Sequence, residues 1–209
     1  MSLIASTQED DFELVPAGTM AGICYRVIDI GTQQSNYLGQ LKRAKKITLS
    51  WELPGEKMAD GLRVFNIHKR YTLSLHEKAT LRIDLESWRG VPFTKDELKG
   101  FDISNLLGKP CLLGIVHANK DGKEYANISS LLKLPKGMPA PEPVNPQIRF
   151  DLSNFDQAVY DGFSDSLKAT IAKSPEYQEL KGGGKLEPNT TPDREFAPPG
   201  ATLSDEIPF

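Results

Sequence analysis

The sequence contains little cysteine and little histidine. Two Cys and three His stand among 209 residues, and Cys24 and Cys111 lie far apart within apolar, strand-like segments. This pattern predicts reduced, packed thiols rather than a disulfide framework. No CxxC or HExxH pair is present, so a zinc site would need unrelated strands to converge. We therefore expect no metal centre.

Long apolar runs are also absent. None approaches the roughly 18 residues that a membrane-spanning helix needs. The first residues lack the basic start and apolar centre of a secretory signal. We therefore expect a cytoplasmic protein without a membrane partner.

The common catalytic motifs are missing as well. The GGGK run at 182–185 lacks the spacing of a nucleotide-binding glycine loop and has no strand before it, and no G-x-S-x-G elbow occurs. Carboxylates are plentiful but scattered; Asp84 and Glu86 would point to different sides of a helix. These absences favour a protein that is not an enzyme and that needs no cofactor.

The sequence does have a strong separation of charge along the chain. The net charge of -3 combines an acidic start, a basic middle and an acidic end. Residues 1–17 hold four acidic and no basic residues, and residues 18–138 hold nineteen Lys and Arg against twelve Asp and Glu, a net charge of +7. Residues 139–209 hold six basic against twelve acidic residues. A basic body between acidic ends is typical of proteins that bind a polyanion.

The densest positive charge lies in the segment LKRAKKITLSW at 41–51. Ile47, Leu49 and Trp51 share the parity of Leu41, as one buried face of a strand requires, while Lys46 falls on the other parity. Arg43 and Lys45 break the apolar parity at the beginning of the strand, where a curved sheet can turn side chains towards solvent or an anion. The segment therefore predicts a cationic strand with one buried face.

Five strands and one helix are predicted between residues 18 and 138. The strands are 20–30, 37–53, 63–75, 111–117 and 124–132, with a turn at 31–36 and a hairpin turn at 119–122. Ser74 and Glu77 form a capping box, which predicts a helix over 75–88 between the third and fourth strands. This order is typical of the OB-fold, a five-stranded, partly open barrel whose second and third strands bind oligonucleotides.

The flanking segments are predicted to be less compact. Residues 1–17 are expected to form an acidic flexible arm, and residues 139–147 a Pro-rich linker. Residues 148–181 are expected to be helical. Within them an apolar residue recurs every fourth position from 155 to 171, which predicts one helix of about 18 residues. Its apolar stripe must pack on the barrel or on a second copy in a homo-oligomer. The first is favoured, since lone helices of this length are marginal in water. Residues 182–209 are predicted to be a disordered tail.

Basic and aromatic residues lie together on or beside the predicted strands. Single-strand binding needs both, because cations neutralise the phosphate backbone while flat rings stack on bases at ~1–3 kcal/mol each. For Trp51, Phe65 and Trp88 the choice lies between the core and a stacking role, and their apolar positions favour the core. The predicted DNA-binding residues are Tyr25, Arg26, Tyr37, Lys42, Arg43, Lys45, Lys46, Lys69, Arg70, Tyr71, Lys123 and Tyr125.

A run of motifs in the basic body resembles a known family. The segments are DIGTQ at 29–33, WELP at 51–54, YTLSLHEKATL at 71–81, LESWRG at 85–90, FDISNLLGKPC at 101–111 and YANISSL at 125–131. Together they resemble phage-encoded single-stranded DNA-binding proteins of the OB-fold type. The resemblance implies a protein that coats and protects single-stranded DNA in a bacterial host during phage replication, recombination or repair.

The last five residues carry a second resemblance. Asp205, Glu206, Ile207, Pro208 and Phe209 are similar to the acidic tail of bacterial single-stranded DNA-binding proteins, although fewer acidic residues precede Ile207 here. The resemblance implies docking on phage or host replication and recombination proteins. Phe209 would fill an apolar pocket while the carboxylates meet a basic rim.

Two other functions remain open at this point. An OB barrel that binds proteins, with a tail that imitates host tails, would act as an interaction adaptor. An RNA-binding barrel also fits, because no residue identifies a contact to the 2′-hydroxyl.

Overall fold

The computed structural model describes residues 13–37 and 40–182. Its described part is mainly β, with one six-stranded sheet in which the strands follow the order β3-β2-β1-β4-β5 and β6 pairs with β1. All neighbours on the main path are antiparallel, whereas β6 runs parallel to β1. The strands are β1 Gly18–Tyr37, β2 Gln40–Lys57, β3 Val64–Thr72, β4 Pro110–Lys120, β5 Lys123–Leu132 and β6 Ile148–Phe150.

The helices fall into two groups. Helix α1, Thr80–Arg89, lies between β3 and β4, and two short 3-10 helices, Glu97–Lys99 and Ile103–Leu106, follow it. The second group is α2 Gln157–Asp161, α3 Asp165–Ala172 and α4 Pro175–Leu180. The predicted succession of three strands, a helix and two strands is confirmed.

The predicted turn at 31–36 is wrong, because β1 continues through it. The ladder between β1 and β2 is irregular between Asp29 and Thr32 and then resumes to its end at Tyr37 and Gln40. Gly31, with φ at 70°, absorbs the irregularity. Residues 32–37 and 40–45 consequently form an extended hairpin, called here the β1–β2 arm.

The predicted capping box is also wrong. The Ser74 hydroxyl accepts a hydrogen bond from the His76 backbone N–H at 3.2 Å, and the residues up to Ala79 form a turn. Helix α1 therefore begins at Thr80 rather than at residue 75. Its end agrees with the prediction, since Gly90 takes the left-handed conformation that closes a helix.

One face of the sheet packs into the main core. Trp51 and Leu49 are completely buried there together with residues of all five main strands and of α1. The rings of Trp51 and Trp88 lie 5.8 Å apart, and the Trp88 indole N–H donates to the Pro110 carbonyl. Trp88 and Phe65 are likewise buried. The prediction that these three aromatic residues are core residues is confirmed.

A second core joins the C-terminal segment to β1. Phe163 and Ile171 pack with Ile28 and Ile30, which confirms the expected packing within the chain. The predicted single helix over 155–171 is wrong, because two short helices, α2 and α3, replace it and a third, α4, follows. Gly162 ends α2, and Pro175 starts α4 on the Ser174 cap, since these residue types favour helix ends over helix interiors.

The chain reaches this second core across the outer side of β2. Glu52 is completely buried, and its carboxylate accepts hydrogen bonds from the backbone N–H groups of Val144 at 2.8 Å and Asn145 at 2.9 Å. The Asn145 side-chain amide donates a third hydrogen bond at 2.5 Å. Residues 144 and 145 are thereby fixed against β2 just before β6.

Among the helices of residues 13–37 and 40–182, none is both long enough and apolar enough to span a bilayer.

Candidate nucleic-acid interface

The register of β1, β2 and β3 divides the side chains between two faces. The core face carries Ile47, Leu49 and Trp51, and alternation therefore places Lys46, Thr48 and Ser50 on the outer face. Thr48 faces Arg70 on β3, and Ser50 faces both His68 on β3 and Arg26 on β1.

Three cations lie on this outer face, and together they are called here the outer basic face: Arg26, Lys46 and Arg70. They come from three adjacent strands, which lie about 4.8 Å apart in a sheet. Arg70 is exposed and Lys46 is half-buried. None of the three forms an ion pair with another described residue. The outer basic face thus presents uncompensated positive charge.

Arg26 and His68 modify this surface. The Arg26 guanidinium lies 5.1 Å from the centre of the Tyr25 ring, and its Nε atom is buried with no hydrogen-bond partner in the described chain. His68 is exposed, but partial loss of hydration and the neighbouring Arg70 lower its pKa and so favour the uncharged imidazole.

Lys69 and Tyr71 occupy the opposite face and have structural partners. The Lys69 ammonium lies 2.8 Å from a carboxylate oxygen of Asp84 on α1, and the Tyr71 hydroxyl donates to the same oxygen at 2.8 Å. Burial and Asp84 raise the pKa of Tyr71 well above its ordinary value. These residues hold α1 against β3, so Lys69 does not belong to the outer basic face.

The predicted stacking role of Tyr25 and Tyr71 does not fit their burial. Tyr25 is 5% exposed and Tyr71 is 2% exposed. A ring that stacks on a base must present one of its flat sides to the ligand, and neither ring does so in this structure. We therefore leave both rings out of the candidate interface.

The cations of the β1–β2 arm also differ in their surroundings. Lys42 is exposed, on the parity of Lys46. The Lys45 ammonium pairs with Asp29 at 3.0 Å; burial opposes its charged form, but Asp29 outweighs burial and raises the pKa of Lys45. Arg43 faces Gln34 across the arm and lines a cavity beside α4. The prediction for the Tyr37 side chain lies outside what the structure describes.

Lys123 and Tyr125 form a third set at the β4–β5 hairpin. Asp121 and Gly122 both have positive φ, as a two-residue hairpin turn requires. Tyr125 is 47% exposed and Lys123 is exposed. The β1–β4 ladder places this hairpin beside the beginning of β1, whereas the arm lies at the other end of β1. The structure does not join this set to the arm.

Some residues of the interface were missed from the sequence. His68 stands two positions before Arg70, so alternation alone would have placed both on one face. Lys173, which lines the cavity beside Arg43, gives no comparable signal, because its position depends on how the C-terminal segment packs. The predicted partner-binding residues Asp205, Glu206, Ile207, Pro208 and Phe209 lie outside the described residues.

Neither the models of known protein families nor the curated proteins contain a match to this chain.

Proposed function

We propose that this protein binds single-stranded DNA with little sequence preference and has no catalytic activity. The proposal includes an OB-fold barrel. Three features support this barrel: the strand order, the position of α1 between β3 and β4, and the proximity of β3 and β5, the strands at the two ends of that order. Cα atoms of β3 and β5 come within 8 Å of each other, as barrel closure needs.

The observation that carries the proposal is the outer basic face. Its cations stand on β1, β2 and β3, and the second and third strands are those with which OB-folds bind oligonucleotides. A cation without an acidic partner gains most from a phosphate, because binding releases counterions from the nucleic acid and breaks no ion pair in the protein. Arg26, Lys46 and Arg70 meet this condition, whereas Lys45 and Lys69 do not.

The mechanism is mainly electrostatic. Tyr25 and Tyr71 are buried, whereas Tyr125 is exposed. Neutralisation of phosphates therefore contributes more to affinity than stacking does, and affinity should fall steeply as salt rises.

The proposed biological role is coating of single strands during phage replication, recombination or repair. In this role the bound protein protects the strand from pairing and from nucleases. Asp205, Glu206 and the terminal Ile207, Pro208 and Phe209 recruit phage or host proteins by capture of the C-terminal carboxylate in a basic, apolar pocket.

The test is fluorescence anisotropy of the full chain with single-stranded DNA, duplex DNA and single-stranded RNA of equal length. We expect single-stranded DNA to bind most tightly. The variant Lys46→Glu/Arg70→Glu should lose about a hundredfold in affinity, roughly tenfold per contact. Lys95→Glu/Lys136→Glu is the control, since it makes the same charge change at two exposed lysines outside the interface.

The outcomes separate the functions. Equal loss in both double variants would contradict a defined interface, and no binding of any nucleic acid would favour the protein-binding adaptor. Tighter binding of RNA would favour the RNA-binding barrel.

The acidic tail offers a second test. The tail and DNA are both negatively charged, so the tail should compete with DNA for the outer basic face. Deletion of residues 183–209 should therefore tighten DNA binding at low salt. Deletion of residues 139–209 would also disturb the fold, because residues 148–182 supply most of the second core. Weaker binding after deletion of residues 183–209 would contradict competition by the tail.

A further inference from the structure

A cavity of about 200 Å³ separates the β1–β2 arm from the C-terminal helices. Thr32, Gln34 and Arg43 line it from the arm, and Lys173, Pro175 and Gln178 line it from the other side. Its volume is more than ten times the roughly 10–15 Å³ that one water needs. Its two charged lining residues are both cations.

Lys173 is held in this position by close packing of its neighbours. A Cβ atom at Gly31 would lie 2.4 Å from the Ser174 Cβ, so only glycine allows the chain to approach so closely. Glu176 accepts hydrogen bonds from the Thr32 backbone N–H at 2.9 Å and from the Thr32 hydroxyl at 2.6 Å. These contacts fix the junction of α3 and α4 beside the arm.

The charges around the cavity favour an anion. Neither Arg43 nor Lys173 forms an ion pair with any described residue. The nearby acid is Glu176. Burial opposes its ionised form, but the hydrogen bonds from Thr32 outweigh burial and lower its pKa. Both carboxylate oxygens of Glu176 accept hydrogen bonds from Thr32, and the charge of Lys45 also stabilises the ionised carboxylate.

We infer that Arg43 and Lys173 form a second phosphate subsite, which receives a backbone phosphate of the same single strand that the outer basic face holds. This inference rests on the proposed function. Arg43 and Lys46 belong to the same strand, β2. They are three residues apart, roughly 10 Å along the strand.

A bound strand has a route between the two sites. The ladder of β3 on β2 starts at Lys46, and Leu73 donates to the Lys45 carbonyl. Within the described residues, the outer edge of β2 from Gln40 to Ala44 therefore has no neighbouring strand. The nucleic acid follows this edge from the outer basic face to the cavity.

The test measures binding of oligothymidylates of about 4 to 20 nucleotides, the range of site sizes for OB-folds, by the full chain. The variants are Lys173→Glu and Arg43→Glu, with Lys95→Glu as the matched control. Long oligonucleotides should bind either variant about five- to tenfold more weakly at low salt, and the slope of log affinity against log salt should fall by about 0.7. The shortest oligonucleotides should bind normally, because they do not reach the second subsite.

Three results would overturn the inference. The first is a Lys173→Glu affinity equal to that of Lys95→Glu at every length, while Lys46→Glu/Arg70→Glu still loses binding; the proposed function would then stand without the subsite. The second is an equal loss at all lengths, which indicates a general charge effect. The third is thermal stabilisation by inorganic phosphate that Lys173→Glu abolishes without any change in oligonucleotide affinity, which would assign the cavity to a free anion. A wild-type chain that binds no single strand would overturn the proposed function itself.

Discussion

The two faces of β3 use adjacent cations in opposite ways. Lys69 points to the core side, where it shares the Asp84 carboxylate with Tyr71 and holds α1 in place. Arg70, the next residue, is exposed on the outer face and has no acidic partner among the described residues. One strand therefore carries a cation that stabilises the fold and a cation that is available to a ligand.

The difference teaches that density of charge along the sequence does not define a binding surface. Six of the predicted DNA-binding cations stand in two short runs of the sequence, at 42–46 and 69–70. The register assigns Lys46 and Arg70 to one face, Lys69 to the other, and Lys45 to an ion pair with Asp29. A cation contributes to binding mainly where folding has left it without a partner.

The largest expected effect concerns the covered part of the outer face. Glu52→Ala removes a buried carboxylate that accepts three hydrogen bonds from residues 144 and 145. We expect a loss of about 3 kcal/mol in the free energy of unfolding, because hydrogen bonds to a charged acceptor are strong and three of them are lost together. Urea denaturation measures it. Glu52→Gln, which keeps the shape, should lose less, and a loss below about 1 kcal/mol in Glu52→Ala would contradict the anchoring role.

The core face is tested by Lys69→Glu. This change places a second carboxylate beside Asp84, and we expect a loss of about 2 kcal/mol in the free energy of unfolding. The loss is smaller than for a fully buried ion pair, because both side chains are partly exposed. Affinity for single-stranded DNA, measured with the folded fraction, should change little. A strong loss of affinity with unchanged stability would place Lys69 in the interface instead.

The adjacent change, Arg70→Glu, should do the reverse. Affinity should fall about tenfold, which corresponds to about 1.4 kcal/mol, while the thermal midpoint stays at the wild-type value because Arg70 has no partner to lose. Anisotropy and calorimetry on the same sample separate the two effects. If Arg70→Glu lowers the midpoint as much as Lys69→Glu does, the contrast between the faces is wrong.

The smallest effect is expected at Glu176, beside the arm. Its pKa is lowered in the folded protein, so its contribution to stability is present above the ordinary Glu pKa and is lost as the pH falls through the lowered value. Glu176→Gln should be about 1 kcal/mol less stable than the wild type at pH 7. The two should become equal in acid. A difference that persists at low pH would show that the ionised carboxylate is not responsible.

The main strands and their order could be predicted from the sequence. Alternation, the Asp-Gly hairpin turn and the apolar stripe of α1 are local signals. The start of α1 was wrong because the Ser74 hydroxyl bonds within a turn instead of capping a helix. The β1–β2 arm was missed because GTQQSN has the composition of a turn, and only pairing with β2 makes it a strand.

The site was less predictable than the fold. Alternation is enough to place Lys46 and Arg70 on one face, but the ion pairs of Lys45 and Lys69 involve acids on other elements. The burial of Thr48, Ser50 and Glu52 could not be predicted either. Their polar side chains follow the pattern of an exposed face, and the partners of the Glu52 carboxylate come from a segment about 90 residues later in the chain.

The central claim is that unpaired cations hold a phosphate backbone, and the salt dependence of binding tests it most directly. Affinity for oligothymidylate should be measured between low and moderate salt for the wild type and for Arg70→Glu. About five phosphate contacts predict a slope of log affinity against log salt near -3.5, with a slope shallower by about 0.7 in the variant. An affinity that does not change with salt, or an identical slope in the two proteins, would contradict the claim.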